Sequence, residues 1–161
     1  AAQSFPCRFL FVATSGHEWA DAGAHIFHQG QAPDPQETAL WVHLGAGFGA
    51  RGYEETAGGL NPTDTPNLAR TLMASADLLP ACQAAFAGQP VIDQPAVADI
   101  SRSAGEYTLV LKEGYPSSMG FWGAHGLFHT PIDGKDATSG AIMEPIARAI
   151  AKVVEGKLAR I

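Results

Sequence analysis

The sequence predicts an α/β fold in which a mostly parallel or mixed sheet lies between helices in three layers. Two short apolar runs, at residues 8–13 and 38–44, are rich in β-forming side chains and are typical of buried strands. Between them, Trp19, Ile26 and Phe27 recur at helical spacing. Strand, helix and strand joined by short connections are typical of a βαβ unit, so we expect the two strands to be parallel.

The middle of the chain is predicted to alternate between loops, helices and strands. The helix that begins near Trp19 is expected to end at Gly30, and the strand over 38–44 runs into a glycine-rich exit. Residues 52–65 are predicted to form a long loop. Thr65 and Pro66 are a good N-cap and first-turn pair, which predicts a helix carrying the apolar residues of segment 68–73.

The second half is predicted to add one short helix, two strands and a long final helix. The short helix is expected over 78–86, and the strands over 107–112 and within 115–122. A polar loop with two histidines follows, over 123–136. An apolar stripe then predicts the C-terminal helix, and it consists of Met143, Ile146, Ala147, Ile150, Val153, Val154 and Leu158.

Length and charge narrow the class of protein. A chain of 161 residues fits one domain with a real core, and its net charge of −6 argues against nucleic acid or an anionic membrane as a partner. No apolar run approaches the ~20 residues that span a bilayer, so we expect a soluble protein, without a compartment being indicated. The start lacks Met and a basic leader, which favours processing or truncation over a signal peptide. Cys7 and Cys82 are expected to be two buried thiols.

His17 and Glu18 are the first candidate functional residues, because they lie between a predicted strand and a predicted helix. Ligands of open α/β sheets bind beyond the carboxyl ends of the strands, so this stretch is predicted to form one wall of an active site. His125 and His129 are candidates as well, because functional residues concentrate in loops. His43, inside a strand, is instead expected to be a hydrogen-bonded core imidazole.

Two familiar catalytic motifs do not match this stretch. A zincin motif needs a second histidine four residues after His17, and Asp21 stands there. A nucleophile elbow around Ser15 would need glycine on both sides at a spacing that the sequence lacks, which leaves a serine esterase as a minor alternative. The glycines between Gly45 and Gly49 fit a tight turn better than a dinucleotide site.

Three motifs taken in order resemble the M28 family of zinc aminopeptidases. The first strand leads into His17-Glu18 and then Gly23-Ala24, where the family has a Glu-Glu pair followed by Gly-Ser at the start of a helix. A second strand follows over 40–45, and the family's Tyr/Phe-His-Thr-x-x-Asp motif is matched by residues 128–133 before the last helix. The resemblance covers most of this chain and the later part of the family domain, and it implies a zinc-exopeptidase-like fold.

The resemblance assigns roles to individual residues. His17 stands where the family has its general base, and a histidine can act as a base near neutral pH. Glu18 and His129 stand at metal-ligand positions, whereas the bridging aspartate falls at about Gly45, which has no side-chain ligand. The family's earlier His and Asp ligands would lie upstream of Ala1. A catalytic zinc normally needs three protein ligands, so one zinc ion at most is expected and a cocatalytic pair is not.

These departures favour an M28 peptidase-like domain with lost or altered peptidase activity, which binds a peptide or protein in the former active-site cleft. The structural interpretation of the remaining motifs is that His129 and Asp133 fix a loop and Gly23 permits close helix packing. The alternative is an active zinc-dependent aminopeptidase that uses Glu18 and His129 as ligands, with His17 joining them. An uncovered sheet edge would also favour association with a missing N-terminal segment or a second copy.

Overall fold

The computed structural model describes residues 7–45 and 47–161. Within them the chain forms six strands and four α-helices. The strands are β1 (Trp41–Leu44), β2 (Arg51–Thr56), β3 (Gly59–Pro66), β4 (Arg70–Ala74), β5 (Ala96–Val97) and β6 (Ser118–Gly123). The α-helices are α1 (Ala22–Gly30), α2 (Leu79–Ala85), α3 (Tyr107–Lys112) and α4 (Gly140–Leu158).

The main sheet is mixed and has four strands in the order β1-β6-β4-β5. Strand β1 pairs with β6 in parallel, with Trp41 opposite Ser118 and Leu44 opposite Phe121. Strand β4 is antiparallel to β6 and parallel to β5. The α/β class with a mixed sheet is therefore confirmed.

Apolar side chains from β4 and β6 contribute to two core clusters, because successive side chains of a strand point to opposite faces. Leu72 of β4 packs in a cluster with α2 and α4, whose buried members include Cys82 and Ile146. Met73, the next residue of β4, packs with Tyr107 and Val110 of α3. The long C-terminal helix, α4, is thus confirmed, and Ile146, Val153 and Leu158 of its predicted stripe are buried, whereas Ala147 is exposed.

The prediction of a loop over residues 52–65 was wrong, because this segment lies in the two strands of an antiparallel hairpin. Ala57 and Gly58 connect β2 to β3, and Gly59 follows with a φ of 114°. A two-residue connection rich in glycine is a hairpin signal, and here it outweighs the polar composition that suggested a loop. The hairpin lies beside the 123–136 loop, since a Cβ added at Gly126 would be 3.9 Å from Tyr53 Cδ2.

Residues 8–13 are not a strand, which also removes the predicted βαβ unit. The segment has no regular secondary structure, and its apolar side chains are exposed, with Phe11 at 92%. A strand needs a hydrogen-bonding neighbour, and within the described residues β1 pairs only with β6. Apolar composition favoured a strand here, but the described part of the chain offers it no pairing partner.

Two further predictions are reversed by tertiary context. The segment predicted as a helix over 68–73 contains most of β4, which gains hydrogen-bonded neighbours on both sides in the sheet. The segment predicted as a strand over 107–112 is α3, which follows a turn at Gly105 (φ 58°) and is followed by Gly114 at a φ of 78°. A glycine in the left-handed region just after a helix is a common C-terminal signal, and here it outweighs the β-forming composition that predicted a strand.

The remaining predicted elements agree with the structure. Helix α1 ends at Gly30, α2 and β1 lie inside the predicted segments, and β6 extends one residue beyond its predicted segment, to Gly123. Both cysteines are free; Cys82 is buried as expected, but Cys7 is exposed, so the prediction for Cys7 was wrong. None of the helices in the described residues has the length and apolar character needed to cross a membrane.

Candidate functional site

The stretch before α1 is a tight turn that presents His17 and Glu18 to solvent. A single 3-10 turn covers His17–Trp19, with Gly16 in the left-handed region (φ 74°) on one side and Ala20 (φ 53°) on the other. The turn is held against α1 because Gly23 N donates to the Ser15 carbonyl at 2.9 Å. A Cβ on Gly23 would overlap that carbonyl, so the close approach that the sequence predicted for Gly23 is present.

The second half of the site is the loop over 125–133, which is held by its own hydrogen bonds. Phe128 N donates to the His125 carbonyl at 2.9 Å, and Thr130 Oγ1 donates to the Leu127 carbonyl at 2.6 Å. His129 lies between them in the left-handed region, with a φ of 63°. A non-glycine residue in this region is uncommon and is often found at functional positions.

The Asp133 carboxylate closes this loop against a histidine. Its Oδ1 atom lies 3.4 Å from Nε2 of His125, whose side chain is only 8% exposed. The sequence predicted that His129 and Asp133 fix the loop, and the structure gives His125 this part instead. The ring of His129 instead stacks on Phe128, at 4.0 Å between centroids, and its Nε2 atom contacts a residue outside the loop.

The structure brings together Glu18 and His129, the two residues predicted as metal ligands. Nε2 of His129 lies 2.9 Å from Oε1 of Glu18, although the two residues are 111 positions apart in the sequence. Both side chains are exposed, His129 at 59% and Glu18 at 67%. The pair therefore lies on the surface, where a ligand can reach it directly.

His17, the predicted catalytic residue, contacts a different set of groups. Its Nδ1 atom lies 2.9 Å from Oδ1 of Asp21 and 3.1 Å from Oε1 of Glu106, which directly precedes α3. Partial burial lowers the pKa of His17, but the hydrogen bond to Glu106 and the charges of Glu106 and Asp21 outweigh this effect and raise the pKa overall. His17 thus has carboxylate partners that favour its charged form.

His43 lies within the electrostatic range of this cluster. Its ring stacks on Tyr107 of α3, at 5.7 Å between centroids. Burial lowers the pKa of His43, and the negative charges of Glu106 and Asp21 only partly oppose this. His43 is therefore a partly buried imidazole in β1 that packs on an aromatic ring, and the predicted hydrogen bond of this ring is not found among the described residues.

A cocatalytic pair of zinc ions does not fit the side chains at the positions implied by the resemblance. Glu18 and His129 provide two donors, and Nδ1 of His17 is already between two carboxylates. Gly45 provides none, and a Cβ built there would overlap the Phe121 carbonyl in the neighbouring strand. The close pairing of β1 with β6 thus leaves no room for a bridging aspartate at this position.

No sequence motif predicts Asp21 and Glu106 as partners of His17. Asp21 stands where a zincin motif would have its second histidine, and Glu106 lies 89 positions from His17 in the sequence. No sequence motif contains both His17 and Glu106, because they meet only when the fold brings the start of α1 and the start of α3 together. Ser15, by contrast, is exposed, and among the described residues no hydrogen bond joins its hydroxyl to a histidine.

No protein-family model matches this chain, and neither do any of the curated proteins or solved structures with which it was compared.

Proposed function

We propose that this chain is an M28 peptidase-like domain, with a three-layer zinc-exopeptidase-like fold, that binds a peptide or protein segment in the former active-site cleft. In this proposal its peptidase activity is lost or altered. The main support is the 2.9 Å contact between Glu18 and His129, because it joins two distant motifs of the resemblance. The apolar clusters that involve α2 and α4 on one side and α3 on the other support the layered arrangement.

The residues at positions 17 and 45 support the loss or change of peptidase activity. A metal-activated water needs a base beside it, and His17 is paired with Asp21 and Glu106. Gly45 offers no ligand atom, and its backbone lies too close to Phe121 to accept a larger side chain. The substitutions at positions 17 and 45 would thus remove both the family's base and its bridging ligand.

The surface around the Glu18 and His129 pair supports a binding role. Trp19 directly follows Glu18 and is 82% exposed, and Ile132 lies in the same loop as His129 with 70% exposure. An exposed tryptophan next in the chain to a carboxylate that contacts an imidazole offers apolar contact together with hydrogen bonds to a peptide backbone. This combination fits a peptide better than nucleic acid, since the chain carries a net charge of −6.

The test combines binding and hydrolysis on one protein preparation. The tripeptide Leu-Gly-Gly is titrated into isotopically labelled protein while the amide resonances of the 17–19 turn and the 125–133 loop are followed. We expect shifts in both segments, weakened in Glu18→Gln and His129→Gln and retained in Glu144→Gln, a matched exposed glutamate on α4. We expect no release of coumarin from leucyl and alanyl 7-amido-4-methylcoumarin.

The alternative, an active zinc-dependent aminopeptidase, is favoured by the same contact, because one carboxylate oxygen and one imidazole nitrogen at 2.9 Å are donors of the type that zinc takes. Hydrolysis of these substrates, with zinc bound stoichiometrically and lost in Glu18→Ala or His129→Ala, would establish this alternative in place of our proposal. Absence of both peptide binding and hydrolysis would contradict both. Labelling of Ser15 by a fluorophosphonate would instead indicate a serine esterase.

A further inference from the structure

A second cluster beside the Glu18 and His129 pair has the composition of a metal site. His17, Asp21 and Glu106 each offer one donor atom, and the three atoms all lie within 4.8 Å of one another. They come from three parts of the chain: the 3-10 turn, the residue before α1 and the residue before α3. None of the motifs that carry the M28 resemblance assigns a metal to this set.

The distances in this cluster match those between neighbouring ligands of one ion. Nδ1 of His17 lies 2.9 Å from Oδ1 of Asp21 and 3.1 Å from Oε1 of Glu106. Ligands that each lie about 2.0–2.2 Å from a metal, at right angles, are about 3 Å apart. One imidazole nitrogen and two carboxylate oxygens form a donor set that suits zinc, manganese, iron or cobalt dications.

Charge gives a separate reason to expect a cation between these groups. Two carboxylates converge on a single nitrogen, and a neutral imidazole has only one N–H at that atom, which cannot serve both oxygens well. The two carboxylates carry two negative charges, which one dication would neutralise. The Asp21 and Glu106 side chains are 22% exposed, and His17 is 51% exposed, so an ion can enter from solvent and keep water ligands.

We propose that His17, Asp21 and Glu106 form a binding site for one divalent transition-metal ion. The proposal concerns metal binding alone and does not depend on whether a peptide binds at Glu18 and His129. It also differs from the ligand set implied by the resemblance, because Glu18 and His129 take no part in it.

The test is a titration of the metal-free protein with cobalt(II), followed by its visible absorption, and then displacement by zinc. We expect one equivalent per chain, and a loss of affinity of at least about tenfold in Asp21→Asn and in Glu106→Gln. Asparagine tolerates the left-handed backbone of Asp21 (φ 57°), and glutamine has the shape of glutamate, so both variants should fold, which circular dichroism checks.

Two controls make the assignment specific. Glu113→Gln removes an exposed carboxylate just after α3 that is not part of the cluster, and it should bind cobalt like the wild type. His129→Gln should also leave binding unchanged. Loss of binding in His129→Gln with retention in Glu106→Gln would overturn the proposal and assign the ion to the position implied by the resemblance. Absence of stoichiometric binding, or binding unaffected by both Asp21→Asn and Glu106→Gln, would overturn it as well.

Discussion

The Glu18 carboxylate and the His129 imidazole lie 2.9 Å apart and connect the turn before α1 with the loop before α4. Their side chains are more than half exposed, so water screens the interaction and ordering two side chains offsets much of its gain. The contact therefore joins the turn to the loop but adds little to the stability of the fold.

The first prediction is that this pair contributes little to stability. Glu18→Gln and His129→Gln should each change the free energy of unfolding by less than about 1 kcal/mol, because exposed ion pairs are typically worth that much or less. Urea denaturation of the two single variants and the double variant measures the coupling between them. A coupling well above about 1 kcal/mol would show that the pair is a structural link, which would weaken its interpretation as an open binding surface.

The second prediction concerns the glycine that holds the turn to α1. Gly23→Ala should cost about 1–3 kcal/mol, because its Cβ would overlap the Ser15 carbonyl and force the turn away from the helix. Gly30→Ala is the matched control on the same helix, since a Cβ there meets no atom within 4 Å. That control should be neutral or stabilising by up to about 1 kcal/mol.

The displacement itself can be measured in Gly23→Ala. Moving the turn should separate Glu18 from His129 and disturb the resonances of both, whereas Gly30→Ala should leave them in place. Equal stability of the two alanine variants would contradict the close approach seen at Gly23.

Sequence patterns predicted the elements that depend on local chemistry. Helix α4 has its own apolar stripe, and α1 ends at Gly30, so both are specified within their own segments. The patterns failed where pairing partners decide the structure. Segment 8–13 has the composition of a strand without a strand beside it, and β4 lies in a segment with helical start signals but between two sheet neighbours.

The candidate site divides in the same way. Glu18 and His129 were predicted as a pair because two sequence motifs carry them, and they lie together. The partners of His17 were not predicted, because Asp21 and Glu106 belong to no shared motif and meet only when α3 packs on the sheet. The prediction of α3 as a strand made that meeting impossible to foresee.

The third prediction is a pH dependence of stability caused by His28 on α1. Its ring stacks on Trp41 at 5.2 Å between centroids, and its Nδ1 atom is buried without a hydrogen-bond partner among the described residues. Burial lowers the pKa of His28, and the nearby His25 adds to this, while Glu113 partly opposes it. The folded state therefore favours the neutral ring.

The direction of the pH dependence follows from this preference for the neutral His28 ring. The stability contributed by neutral His28 should be complete above the unfolded pKa near 6.5 and should be lost as the pH falls below it, toward the lowered pKa of the folded state. His28→Phe should remove this loss and raise stability at neutral pH by about 1 kcal/mol, because no buried nitrogen is left unsatisfied. Thermal unfolding from pH 5 to 8 measures both effects. His25→Gln, an exposed change on the same helix, should retain the pH dependence; a flat profile in the wild type would contradict the prediction.

The fourth prediction is a loss of stability at acidic pH that is caused by Asp77. Burial alone would raise the pKa of Asp77, but hydrogen bonds from Ser117, Ser75 and Lys157 lower it to about 2. These bonds, at 2.6, 2.6 and 2.9 Å, join the end of β4 to the start of β6 and the end of α4. The stability they contribute should be present above about pH 4 and should be lost as the pH falls from the unfolded value of 3.8 toward 2.

Asp77→Asn should lower the free energy of unfolding at pH 7 by about 1 kcal/mol, because it removes the charge that these donors stabilise. We expect a smaller loss of stability than for a buried ion pair, because the Asp77 side chain is 43% exposed and water screens part of the interaction. Asp64→Asn is the matched control: Asp64 is 98% exposed and, among the described residues, pairs with Arg51 alone, so its removal should leave stability nearly unchanged. Urea unfolding at pH 7 and pH 3 should show the difference between wild type and Asp77→Asn shrinking at the lower pH. A difference that grows instead would mean that Asp77 is protonated more easily in the folded state than in the unfolded chain, and its three donors would then not hold it as an anion.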